Sequence, residues 1–152
     1  MTITITAEAA HTEDAQLLIA ELDGILAPHY PDESRHGYSV DKLIAQGVAF
    51  FIIRAAGVPA ACGGVQIVGA EYGELKRMYV RPQFQGVGLA KIMLDHLTGY
   101  ARGQKIEVLR LETGIYQHEA IGLYEKWGFS PIPPFGPYQP DPNSLFYEKR
   151  IA

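Results

Sequence analysis

The spacing of apolar and polar residues divides the chain into strand-like and helix-like segments. Residues 2–7 alternate in the manner of a strand. Apolar residues then recur every three to four positions over 17–26, behind Thr12 as a predicted helix N-cap. A second, shorter helix is predicted over 39–47, where a serine begins the segment and a glycine ends it.

The rest of the chain predicts a mixed sheet. The pattern predicts strands over 48–57, 58–69 and 73–82, followed by a helix over 89–100. A strand over 105–113, a helix over 117–128 and a final strand over 144–151 complete the order. A helix between two strands implies a parallel crossover, whereas hairpins are antiparallel. We therefore expect an α/β (α+β) fold with a mostly antiparallel central sheet flanked by helices. Strict alternation within 73–82 places Glu74 on the same strand face as Met78 and Val80.

Composition narrows the class of protein. A length of 152 residues without a repeat or linker predicts one domain, residues 1–152. A net charge of −4 argues against a nucleic-acid partner, and no apolar run is long enough to span a membrane. The N-terminal residues lack the features of a signal peptide, so a cytoplasmic protein is expected. The single cysteine, Cys62, lies in a strand-like apolar run, which favours a buried structural thiol.

A glycine pair at the start of a helix indicates an anion site. The segment RPQFQGVGLAKIMLDHL carries Gly86 and Gly88 directly before a predicted helix. The free N–H groups of a helix N-terminus bind anions, and glycines let an anion approach them closely. A dinucleotide-binding fingerprint is disfavoured because Lys91 stands where a third small residue is needed, and a P-loop motif is absent. Taken alone, the pair also fits a simple tight turn.

Two motifs resemble those of the GNAT superfamily of N-acetyltransferases. The pattern Gln83-x-x-Gly86-x-Gly88 resembles its pyrophosphate-binding loop. The later segment QHEAIGLYEKWGF resembles a second motif of that superfamily, although Gln117 stands where asparagine is usual. The matching positions are Ala120, Leu123, Tyr124, Glu125, Lys126, Gly128 and Phe129.

The resemblance implies acetyl-CoA as co-substrate and no metal. It implies that the pyrophosphate binds the loop 83–89 and that the pantetheine pairs with a strand edge where two central parallel strands splay apart. The implied cofactor-binding residues are Met78, Tyr79, Val80, Gln83, Phe84, Gln85, Gly86, Val87, Gly88, Leu89, Ala90, Lys91, Thr113, Gln117, Ala120 and Tyr124.

The resemblance also suggests catalytic groups for transfer of an acetyl group to a primary amine. Tyr124 occupies the position that often protonates the departing thiolate, although it also fits a core tyrosine. Glu74 is the candidate base, acting through water. It also fits an ordinary carboxylate at a strand end, and many members of the superfamily use no side-chain base.

The acceptor site is expected between the early helices and the proline-rich segment 131–143. The candidate substrate-binding residues are Tyr30, Arg35, Tyr38, Arg77 and Tyr138. Basic residues near the expected reaction centre suggest an acceptor with a carboxylate, but these segments also fit solvated loops. The leading interpretation is a small-molecule N-acetyltransferase. The alternatives are a protein or peptide N-acetyltransferase, a catalytically silent CoA sensor and a nucleotide-binding module. Members of the superfamily often form homodimers, and the sequence leaves the oligomeric state of this chain open.

Overall fold

The protein folds into a seven-stranded sheet with helices on both faces. The structure is a computed structural model, and it describes residues 2–152. The strands are β1 Ile3–Ala7, β2 Ala49–Ala55, β3 Val58–Val68, β4 Tyr72–Val80, β5 Val108–Gly114, β6 Ser130–Ile132 and β7 Ser144–Arg150. The helices are α1 Glu13–Leu26, α2 Val40–Ala45, α3 Leu89–Gly103 and α4 His118–Lys126, with short 3₁₀ turns at Asp32–Ser34 and Pro82–Phe84. The predicted order of elements is confirmed, and β6 is an addition within the proline-rich segment.

The sheet order is β1-β2-β3-β4-β5-β7-β6, and only β4 and β5 are parallel. Helices α1 and α2 pack on one face through Leu18, Leu22 and Leu43. Helices α3 and α4 pack on the other face, where Met93 and Tyr124 join the larger core cluster. We call these the α1 face and the α3 face. Within residues 2–152, no helix has the length and apolar character needed to cross a bilayer.

The parallel pair separates after two residues of pairing. Gly73 pairs with Leu109 and Glu74 with Arg110, and the register stops there. Beyond these pairs, the C-terminal half of β4 has no partner on its β5 side among residues 2–152. The predicted splayed parallel pair is therefore confirmed, and it leaves a gap through the sheet.

A β-bulge in β4 corrects one prediction from the sequence. Arg77 has φ = +56°, and the register of β3 against β4 shifts between Cys62 and Gly64. Because a bulge adds one residue to a strand, the alternation of side chains changes phase there. Met78 and Val80 consequently pack into the α3-face core.

Glu74 does not share that face, so the predicted common face for Glu74, Met78 and Val80 is wrong. The Glu74 carboxylate bonds to Tyr138, and Lys76 lies over the ring of Tyr38, which packs against the α1-face cluster. The alternation rule failed because it assumes an unbroken strand.

Candidate active site

The glycine loop before α3 has the geometry of an anion cradle. Gly86 has φ = +83° and Gly88 has φ = +86°, a region that L side chains rarely occupy. A Cβ built on either glycine meets no described atom within 4 Å, so open space lies in front of both. The first turn of α3 begins with the Ile92 N–H bonding to the Gly88 carbonyl.

The loop amides from Gly86 onward are available to a ligand, whereas the N–H groups of Phe84 and Gln85 are already bonded. Among the described residues, the N–H groups from Gly86 to Lys91 have no backbone acceptor. The Gln85 N–H is different, because it donates to the Pro82 carbonyl at 3.3 Å. A run of amides without a backbone acceptor among the described residues therefore begins at Gly86, inside the predicted loop 83–89, and continues into the first turn of α3.

A cleft of about 520 Å³ runs from this loop along β4 to α4. Most of the predicted cofactor residues line it: Met78, Tyr79, Val80, Phe84, Gln85, Gly86, Gly88, Leu89, Ala90, Lys91, Ala120 and Tyr124. The predicted residues Gln83, Val87, Thr113 and Gln117 do not line it. Glu119, Leu123 and Trp127 do, although they were not among the predicted cofactor-binding residues. Their three- to four-residue spacing around Ala120 and Tyr124 was the available signal.

Two polar side chains predicted to hold the co-substrate are partly used by the chain itself. The Lys91 ammonium pairs with Asp95 at 2.5 Å on the exposed side of α3. The Gln117 side-chain oxygen accepts the Gly114 N–H at 2.9 Å, which leaves its amide N–H groups to donate elsewhere.

A cavity of about 120 Å³ occupies the gap between β4 and β5. Met78, Ala120 and Tyr124 line both this cavity and the larger cleft. Glu112 and Arg77 also line the small cavity, and Arg77 belongs to the α1 face through its bond to Asp23. The gap cavity therefore lies between the cleft on the α3 face and the α1 face.

Tyr124 stands at the junction of the cleft and the gap. Its ring is buried edge-on against Trp127 and Phe129, and its hydroxyl has no hydrogen-bond partner among the described residues. Burial raises the pKa of Tyr124 well above its usual range. The phenol therefore carries its proton at neutral pH.

A third cavity of about 900 Å³ opens on the α1 face. It lies between the segment 31–38 and the proline-rich segment 137–143, and it shares residues 34–37 with the gap cavity. The two segments are tied by Asp141, which accepts from the Ser34 hydroxyl at 3.1 Å and contacts His36 Nε2 at 3.2 Å. Arg35, Tyr38 and Tyr138, three of the candidate substrate-binding residues, line this cavity.

Glu74 is held in a buried polar cluster at the floor of the large cavity. Its carboxylate pairs with the Lys76 ammonium at 2.8 Å and accepts the Tyr138 hydroxyl at 2.5 Å. Burial lowers the pKa of Lys76, although Glu74 opposes this, and burial raises the pKa of Tyr138. Glu74 lines the large cavity and not the gap cavity.

The other two predicted acceptor residues line the gap. Arg77 donates to Asp23 at 2.6 Å, while its Nε is buried without a partner among the described residues. The Tyr30 hydroxyl accepts the Tyr116 N–H at 2.9 Å, and its ring lies against Gly114. The structure thus divides the predicted acceptor residues between the gap and the large cavity.

Comparison with known proteins identifies the family. Residues 12–129 match the model of the acetyltransferase (GNAT) family. A protein named IAA acetyltransferase from Azospirillum brasilense is 40% identical over 150 residues, which cover 98% of each chain. The chain therefore belongs to the acetyltransferase (GNAT) family. The family membership confirms the prediction of an acetyltransferase with acetyl-CoA as co-substrate.

Solved structures agree with the fold. A protein assigned as an acyl-CoA N-acyltransferase from Klebsiella pneumoniae has a TM-score of 0.85 and 37% identity, with 99% of each chain covered. The PaiA N-acetyltransferase from Thermoplasma acidophilum, solved with coenzyme A, has a TM-score of 0.75 and 21% identity over 99% of each chain. At 21% identity, the similarity to the PaiA N-acetyltransferase supports the fold alone.

Proposed function

We propose that this protein moves an acetyl group from acetyl-CoA to a primary amine of a small molecule, by direct transfer in a ternary complex. The observation that carries the proposal is the gap between β4 and β5, because it joins two sites on opposite faces of the sheet. The co-substrate would enter from the α3 face and the amine from the α1 face. Both reactants would then meet without a covalent enzyme intermediate.

The residues around the cleft fit coenzyme A. The amides from Gly86 to Lys91 have no backbone acceptor among the described residues and would bind the pyrophosphate. The unpaired edge of β4 at Met78 and Val80 offers backbone groups to the amides of the pantetheine. When bound, this co-substrate supplies an activated acetyl thioester.

Tyr124 would act as the acid for the departing thiolate. It is protonated at neutral pH, and it lines both the cleft and the gap, where the two reactants would meet. Glu74 remains a predicted base only through water, because its carboxylate is bonded to Lys76 and Tyr138 away from the gap.

A small acceptor is favoured over a protein. Hydrogen bonds of Asp141 to Ser34 and His36 join the two segments that wall the large cavity. A peptide acceptor would need an open groove, so transfer to peptides and not to small amines would favour the protein N-acetyltransferase alternative.

The direct experiment compares Tyr124→Phe with Tyr100→Phe. Tyr100 is a partly buried tyrosine of α3 that lies outside the three cavities. With a panel of primary amines, we expect Tyr124→Phe to bind acetyl-CoA normally and to lose about 10²- to 10⁴-fold in kcat. Tyr100→Phe should retain both properties. Acetyl-CoA binding without transfer to any amine in the wild type would instead favour a silent CoA sensor.

A further inference from the structure

Arg77 is buried beside the gap with hydrogen-bonding capacity that the chain does not use. Its side chain is 4% exposed, whereas that of its ion-pair partner Asp23 is 57% exposed. Among the described residues, the guanidinium donates one hydrogen bond, from Nη2 to Asp23 at 2.6 Å, and its Nε is buried without a partner. A guanidinium carries several N–H donors in a planar fork, and buried donors are costly to leave unpaired. Arg77 therefore has donors left for a ligand.

The guanidinium lies where the gap cavity meets the large cavity. A Cβ built on Gly37 would lie 2.6 Å from Arg77 Nη1, so the guanidinium rests against the backbone of Gly37. Gly37 lines both cavities, and Arg77 lines the gap cavity together with Tyr124. A group bound by Arg77 would therefore lie in the same small cavity as the proposed site of acetyl transfer.

The free donors favour a carboxylate as the bound group. The planar fork of a guanidinium matches the geometry of carboxylate oxygens, whereas a carbonyl or hydroxyl offers a single neutral oxygen. A phosphate would also match the fork, but it carries a larger negative charge. The gap cavity already contains the carboxyl groups of Asp23 and Glu112 in its wall, so the smaller charge of a carboxylate is less strongly repelled.

The size of the gap cavity limits the distance between this carboxylate and the reacting amine. Ligand pockets commonly measure about 300–1,000 Å³. The gap cavity of about 120 Å³ would therefore hold only the head group of an acetyl acceptor. If the amine and the carboxylate both lie there, few bonds separate them, as in an α-amino acid. The rest of the molecule would extend past residues 34–37, which line both cavities, into the large cavity.

We propose that Arg77 binds the carboxylate of the acetyl acceptor in the gap, and that the acceptors of this protein are α-amino acids. This inference rests on the proposed acetyl transfer and names the class of amine that receives the acetyl group. Arg77 determines specificity in this role: it holds the carboxylate and takes no part in proton transfer.

The test compares free L-amino acids with their α-carboxamides as acceptors, each measured by CoA release above the rate without enzyme. A carboxamide keeps the amine and the side chain but has no negative charge. We expect Arg77→Asn to lower kcat/KM by about 10- to 100-fold for the free acids, mainly through KM, and much less for the carboxamides. Each variant is compared with the wild type on the same acceptor, so differences in reactivity between the amines cancel.

The choice of variants separates carboxylate binding from folding. Asparagine suits position 77 because it accepts the positive φ of +56° better than most residues. Gly37→Ala keeps Arg77 but displaces its guanidinium, so it should show the same selective loss. Arg77→Lys keeps the charge without the fork and should retain part of the preference. Arg54→Asn removes a paired arginine of β2 that lies outside the three cavities, and it should leave the ratio between acids and carboxamides unchanged.

The outcomes distinguish this inference from the proposed function. Equal losses for acids and carboxamides in Arg77→Asn would overturn the inference, because a structural role affects all acceptors alike. Wild-type transfer to amines without a carboxylate, and to no amino acid, would overturn it and leave the proposed function standing. A wild-type protein that binds acetyl-CoA but transfers to no amine would refute the proposed function itself. Calorimetric titration with acetyl-CoA reports whether each variant is folded, and Gly37→Ala decides the question if Arg77→Asn is not.

Discussion

The glycine loop makes the sharpest quantitative prediction, through Gly88→Ala. Gly88 has φ = +86°, where an L residue costs about 1–2 kcal/mol. A chain of this size loses about 2–4 °C in Tm per kcal/mol, so the variant should melt about 2–8 °C lower. The new methyl would also project into the open space before α3, where a pyrophosphate would bind. Loss of one hydrogen bond to a charged group costs about 1.5–3 kcal/mol, which corresponds to about a 10- to 100-fold weaker Kd for acetyl-CoA.

Gly99→Ala is the matched control. Gly99 lies inside α3 with no positive φ, and a Cβ there also meets no atom within 4 Å. Alanine should stabilise this helix position by about 0.5–1 kcal/mol and leave the Kd unchanged. Thermal unfolding by circular dichroism and calorimetric titration with acetyl-CoA measure both effects. An unchanged Kd in Gly88→Ala, or an equal loss in both variants, would refute the assignment of the loop as the pyrophosphate cradle.

Two further predictions concern the packing around the gap and the single thiol. Gly114→Ala should destabilise the fold by about 1–3 kcal/mol, because the new methyl would overlap the buried ring of Tyr30. The control is Gly122→Ala in α4, where the methyl meets no atom and should not destabilise the fold. Urea unfolding measures the free energy of unfolding of both variants. Burial raises the pKa of Cys62 to about 12, so the native thiol should react with a disulfide reagent at pH 8 far more slowly than the urea-unfolded chain. Equal rates in the two states would show that the thiol is not buried.

Local sequence signals were enough to name most of the residues that line the cleft on the α3 face. The glycine pair, the predicted helix behind it and the motif around Tyr124 are each contained in fewer than twenty residues. Their geometry follows from backbone rules that act locally, such as the positive φ of Gly86 and Gly88. This is why most of the residues named for the cleft line it in the structure.

The acceptor side depends on contacts that no local pattern contains. Glu112 owes its position to the end of pairing between β4 and β5, and the Ser34–Asp141 bond joins residues 107 apart in the chain. One signal for the bulge was present, however. Gly63 and Gly64 lie in β3 opposite the bulge, and glycine within a strand often marks such a site.

The bulge at Arg77 has an energetic reason that also creates the gap. Unbroken alternation would turn Arg77 towards the α3 face, where Met78 and Val80 now pack in the apolar core. An unpaired charge in such a core costs several kcal/mol or more, which exceeds the strain of about 1–2 kcal/mol for a positive φ at a non-glycine residue. The bulge instead turns the guanidinium to Asp23 on the α1 face. The bulge thus gives the buried guanidinium an ion-pair partner. Because a bulge also bends and twists its strand, it helps to carry β4 away from β5 and to open the sheet where the two reactants would meet.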